Sequence, residues 1–97
     1  MELPVYERIL NQLREKVRTR QYVMTVRADE EMDEDGLTIF DVESVILSGK
    51  IVERQKDQST GEWKYLVKGE TLAGESVVTV TKIGPTGKLI FITIYRD

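Results

Sequence analysis

Six carboxylates stand within seven positions, Asp29, Glu30, Glu31, Asp33, Glu34 and Asp35, in a chain of 97 residues that holds no histidine and no cysteine. Without imidazole or thiol, the usual general base near neutral pH, the sulfur nucleophile and the commonest transition-metal ligands are absent. Any chemistry falls to carboxylate, Lys, Arg, Tyr, Ser or Thr. The acidic run invites a calcium loop, which needs acids at positions one, three and five, glycine at six and glutamate at twelve. Glu31, Asp33, Asp35 and Gly36 fit the start, but position twelve falls on Val42 and Glu43 comes one residue late. The motif fails and no metal site is expected, with a bare divalent pair on Glu31 and Asp35 kept as a subsidiary reading. Ser44, Ser48, Ser59 and Ser76 have no histidine to activate them and no lysine at Ser-x-x-Lys spacing, which excludes the familiar serine hydrolases.

A second group mixes rings and cations. In Trp63-Lys64-Tyr65, strand alternation puts both rings on one face and Lys64, with Lys68, on the other, while Tyr95 and Arg96 end the last apolar run. Aromatics interleaved with bases on a sheet suit single-stranded RNA, through stacking and phosphate contact. Core rings and solubilising lysines are the plainer explanation.

These residues need elements to position them. Leu3, Tyr6, Leu10, Leu13 and Val17 recur every three or four positions, so residues 4–20 read as an amphipathic helix with Pro4 in its first turn. Tyr22 to Val26 is short and extended, and Ala28 to Asp35 reads as a helix closed by Gly36. Within that helix, Asp29/Asp33, Glu30/Glu34 and Glu31/Asp35 are like-charge pairs four apart, each costing roughly 0.2–0.5 kcal/mol. Thr38 and Asp41 form a capping-box pattern ahead of a helix whose apolar face, meant for burial, is Phe40, Val42, Val45, Ile46 and Leu47, and Gly49 ends that helix. Then come four strands, Ile51 to Gln55, Trp63 to Lys68, Ser76 to Ile83 and Leu89 to Arg96, joined by turns of hairpin length. The expectation is a single α+β domain over 1–97, with N-terminal helices packed on a four-stranded antiparallel sheet, no parallel crossover, and the first helix covering one sheet face.

Charge is unevenly spread. The net charge is −3, yet residues 29–49 hold eight acids and no base. No stretch is long and apolar enough to span a bilayer and no leader is visible, so a cytoplasmic protein without membrane contact or cofactor is expected.

The order Ala28-x-x-Glu31-Met32-x-x-Asp35-Gly36-Leu37, then Asp41-Val42-Glu43 and Ile46-Leu47-x-Gly49-x-Ile51, resembles the bacterial domain-of-unknown-function family 4258. Lys64-Tyr65-Leu66-Val67-x-Gly69 and Ile92-Thr93-Ile94-Tyr95 continue the resemblance to about Arg96. That family looks like a relative of RelE-type ribonuclease toxins, and many of its members resemble toxins encoded beside small zinc-finger antitoxins. The resemblance implies a RelE-like fold and metal-independent RNA cleavage, free or on the ribosome. It implies Arg27, Lys64 and Arg96 as phosphate contacts and Tyr65 or Tyr95 as proton-transfer groups. The family usually has His-Ala where this chain has Arg27-Ala28, and often a second histidine where it has Val78. Arginine stays protonated and cannot serve as a base. The alternative is a non-catalytic interaction module in which the helix over 29–35 presents Asp29, Glu30, Asp33 and Glu34 to a basic partner.

Overall fold

In the computed structural model, which describes residues 5–97, Leu10, Leu13 and Val17 line one buried face of α1 (Val5–Arg18). The expected roles of Leu3 and Pro4 fall outside the described residues. The chain continues through β1 (Tyr22–Met24), α2 (Val26–Asp35), α3 (Ile39–Ser48), β2 (Lys50–Lys56), β3 (Trp63–Glu70), β4 (Ser76–Ile83) and β5 (Leu89–Arg96).

The α+β layout is as expected, but the sheet differs. It has five strands in the order β1-β5-β4-β3-β2 and is mixed rather than four-stranded and antiparallel. β1 pairs in parallel with β5, through Tyr22↔Leu89, Val23↔Ile90 and Met24↔Phe91. Three residues carry no periodicity worth assigning, and the partner strand lies far along the chain, so the pairing leaves no local trace. β2 to β5 form the expected meander.

All sheet residues in the main core, among them Ile51, Val67, Val77, Leu89, Phe91 and Ile94, share one face, and the three helices pack there. α2 runs along β5 and α3 along β3, while α1 lies chiefly on α3 and reaches β2 and β5. The sheet is thus covered jointly, not by α1 alone. The opposite face carries Lys64, Leu66, Lys68, Val78, Val80 and Tyr95. A bulge in β5 decides what faces where. Phe91 pairs with Thr81 and Thr93 with Val80, leaving Ile92 unopposed. After it the alternation is shifted by one: Ile94 and Arg96 join the helix side, and Tyr95 turns outward.

α3 meets β3 backbone to backbone. A Cβ on Gly69 would stand 2.1 Å from the Val45 carbonyl oxygen, and one on Gly49 2.3 Å from the same atom. Neither neighbour is a side chain that can swing aside. Gly69→Ala is therefore expected to lower the unfolding free energy by about 3 kcal/mol or more, measured by denaturant titration. A loss below about 1 kcal/mol would show that α3 lifts off β3 freely.

Candidate functional site

α2 owes its position to two polar side chains. Thr25 caps it, its hydroxyl accepting from the Ala28 N–H at 3.1 Å and donating to the Ile92 carbonyl at 2.8 Å. One turn on, Glu31 accepts the Ile94 N–H at 3.2 Å. β1 is too short to pair with the whole of β5, and α2 supplies the missing partners. Ala28 and Met32 are buried beneath it, and Gly36 closes it in the left-handed region with φ 66°, allowing Leu37 to turn into the core. The motif from Ala28 to Leu37 thus places α2 against the sheet.

With that face fixed, Asp29, Glu30, Asp33 and Glu34 are exposed on the outer side. Among the described residues none of them forms an ion pair. Of the acids in the run, Glu31 alone meets a cation, Arg27 Nε at 3.9 Å, and the Arg27 side chain is itself 74% exposed. Asp29 and Glu30 lie near the positive end of the helix dipole; Asp33 and Glu34 lie near the negative end and gain nothing from it.

The candidate chemistry residues are dispersed. Tyr65 is half-buried on the helix side of β3, whereas Tyr95 is exposed on the uncovered side of β5. Lys64 shares the uncovered face with Tyr95, but it lies two strands away and roughly 13 Å further along the strand direction. Its ammonium is 3.6 Å from Asp57, whose carboxyl hydrogen bonds from Ser59 and Thr60 hold down to about 2. Arg27 and Arg96 stand at opposite ends of α2. Arg96 pairs with Glu75 and donates to the Asp35 carbonyl at 2.6 Å. Among the described residues, none of the three main clefts brings these five residues together. Among the described residues, no group of three or more acids is arranged to hold a metal ion, and no helix is long and apolar enough to cross a membrane.

Two arrangements were not visible in the sequence. On the helix side, Arg54 lies 4.0 Å above the Trp63 ring, beside a shallow cleft lined by Ile9, Gln12, Trp63 and Tyr65. Cross-strand pairing of β2 with β3 creates it, and no local spacing announces it. On α3, Phe40 and Leu47 belong to the outside rather than the expected buried face, at 56% and 41% exposure. With Leu72 from the β3–β4 turn they line an apolar groove. Leucine at the tip of a hairpin turn was the one available signal.

The groove's edge also holds Glu43, which accepts the Tyr22 hydroxyl at 2.5 Å. Burial and then this carboxylate push the Tyr22 phenol up to about 12. A raised folded-state value means that the neutral phenol is the form the fold favours. Its contribution is therefore complete below pH 10 and lost as pH rises toward 12. Wild-type protein should lose stability over that interval relative to Tyr22→Phe, as measured by denaturant titrations at each pH. Parallel curves would mean that the phenol is not coupled to folding.

A family model described as Domain of unknown function (DUF4258) matches residues 24–96. No curated protein and no solved structure matches the chain. The match takes in the α2 motif, the capped α3 and all four long strands, and it covers well over half of the sequence: the chain belongs to the DUF4258 family.

Proposed function

We propose that this protein is a non-catalytic docking module, with the outer face of α2 meeting a basic partner. The observation that carries this reading is the set of exposed carboxylates on Asp29, Glu30, Asp33 and Glu34, which have no cation of their own among the described residues. The dispersal of Arg27, Lys64, Tyr65, Tyr95 and Arg96 supports the same reading, since metal-free RNA cleavage needs its acid, base and cations around one phosphate. The family resemblance supplies a first partner to test, a small zinc-finger antitoxin. Capture from host lysate at low salt should retain a partner that the combined variant D29N/E30Q/D33N/E34Q loses. Removing the like-charge pairs in α2 gains a few tenths of a kcal/mol per pair while neutralising Asp29 and Glu30 gives up a similar helix-dipole term, so an unchanged thermal melt of the variant separates a loss of binding from a loss of folding. Identical capture by both proteins would end this reading.

One observation favours a second reading, a RelE-like ribonuclease. Arg54 stacked on Trp63, beside a cleft that Trp63 lines with the half-buried Tyr65 and Glu62, puts a ring, a cation and a proton donor near one another. Such a site would stack a base and hold its phosphate. The expected signature is cleavage of free or ribosome-bound transcript that persists in chelator and is lost in Tyr65→Phe. Intact RNA under both conditions would eliminate it.

A further inference from the structure

Charge and apolar surface meet on α3. Phe40 and Leu47 are seven positions apart, two turns or about 10.5 Å along the helix, and Leu72 faces them from the β3–β4 turn at 71% exposure. Large apolar side chains at this exposure are ordinary when single; three lining one groove mark a contact surface.

The groove is built in advance. The Leu72 N–H donates to Asp41 Oδ1 at 3.1 Å, fastening the turn to the first turn of α3. The Ser44 hydroxyl donates to the Glu70 carbonyl at 2.8 Å, and the Glu70 N–H donates to Ser48 Oγ at 3.0 Å. Within the turn, the Thr71 hydroxyl accepts the Glu75 N–H at 3.1 Å. Both walls are therefore held apart at a set width, which lowers the ordering cost of binding.

Its rim is acidic. Asp41 and Glu43 lie on α3, Glu43 lines the groove, and residues 29–49 contain no base. Asp41 stays ionised, because the Thr38 N–H and then the Leu72 N–H hold its carboxyl below the usual range. Of the nearby cations, Arg96 is held by Glu75 and the Asp35 carbonyl and Lys68 by Asp97, while Lys50 stands just beyond the C-terminal end of α3 and lines the adjoining pocket rather than the groove.

We infer that the groove of Phe40, Leu47 and Leu72 receives a basic amphipathic helix of a partner protein, its apolar stripe seated between α3 and the β3–β4 turn and its Lys and Arg side chains facing Asp41 and Glu43. The two-turn spacing of Phe40 and Leu47 matches the i, i+3/i+4, i+7 anchors of a helix lying in a groove. The acidic rim excludes acidic helices of the same apolar pattern. This inference rests on the docking reading above and adds to it a second surface and a partner class.

The test is selection from a random sixteen-residue peptide library displayed on phage against the intact chain, followed by anisotropy titration of the selected peptides. The expected peptides carry apolar residues at helical spacing and more Lys and Arg than Asp and Glu. Leu47→Ser and Leu72→Ser, each at an exposed position, should weaken them at least tenfold with unchanged thermal melts. No enrichment, enrichment of acidic or uncharged helices, or equal binding by both variants would overturn the inference. So would a self-associated species in sedimentation that Leu72→Ser dissociates, since the occupant would then be a second copy of this chain. The same peptides are titrated against D29N/E30Q/D33N/E34Q. Binding lost there but kept in the groove variants would sink the groove and spare the docking reading. Binding lost only in the groove variants would support the groove and remove α2 as the docking face.

Discussion

The edge of β5 past Phe91 is the constraint on which the rest of the arrangement depends. β5 is eight residues long and its outer neighbour, β1, is three. Backbone groups left beyond that short strand need partners if they are not to stand unpaired beneath a helix. Thr25 and Glu31 provide them, at the Ile92 carbonyl and the Ile94 N–H. The place where β1 stops, the place where β5 bulges and the place where α2 begins are therefore one junction. Because Glu31 must point at the strand, Asp29, Glu30, Asp33 and Glu34 must point away from it. The orientation of the acidic face is a by-product of satisfying a sheet edge.

The same junction separates the tyrosines. With unbroken alternation along β5, Tyr95 would lie on the side of Phe91, facing the helices with Tyr65. The extra residue at Ile92 sends Tyr95 to the uncovered face and brings Arg96 beneath the end of α2. On the other flank, Gly49 and Gly69 let α3 approach β3 to backbone contact. That approach leaves no room for a groove under α3, so the exposed apolar residues of this helix can only look outward, toward Leu72.

Much of the layout was written locally. Thr38 with Asp41 builds the expected capping box, Gly36 and Gly49 close the helices at the expected residues, and the strand from Ser76 to Ile83 has its sequence-derived ends. Each of these rests on neighbours within about four residues, where pattern and propensity are informative. The failures are non-local. The β1–β5 pairing links Val23 to Ile90, and the bulge depends on which residue of β4 opposes Phe91. Phe40 reads as a core residue because its apolarity fits the helical stripe, yet Val42, Val45 and Ile46 already fill the space against the sheet. For the site, alternation alone separated Lys64 from Trp63 and Tyr65. Whether Tyr95 joined either group was unreadable without the register.

Charge pairing distinguishes the sheet from the outer face of α2. On the sheet, Lys64 meets Asp57, Lys68 meets Asp97, Lys82 meets Glu62 and Arg96 meets Glu75. Exposed pairs of this kind add little stability, but each cancels its own field beyond a few ångströms. The outer carboxylates of α2 have no such partners among the described residues, so the field at the outer face of that helix is negative. A polyanion approaching that face of α2 is repelled and a cationic chain is drawn in. Cations beside an aromatic ring lie elsewhere, at the far end of β2 and β3, where Arg54 and Lys56 stand near the Trp63 ring. The two functional readings thus occupy different regions of the molecule and respond oppositely to the charge of the ligand, which makes them physically separable.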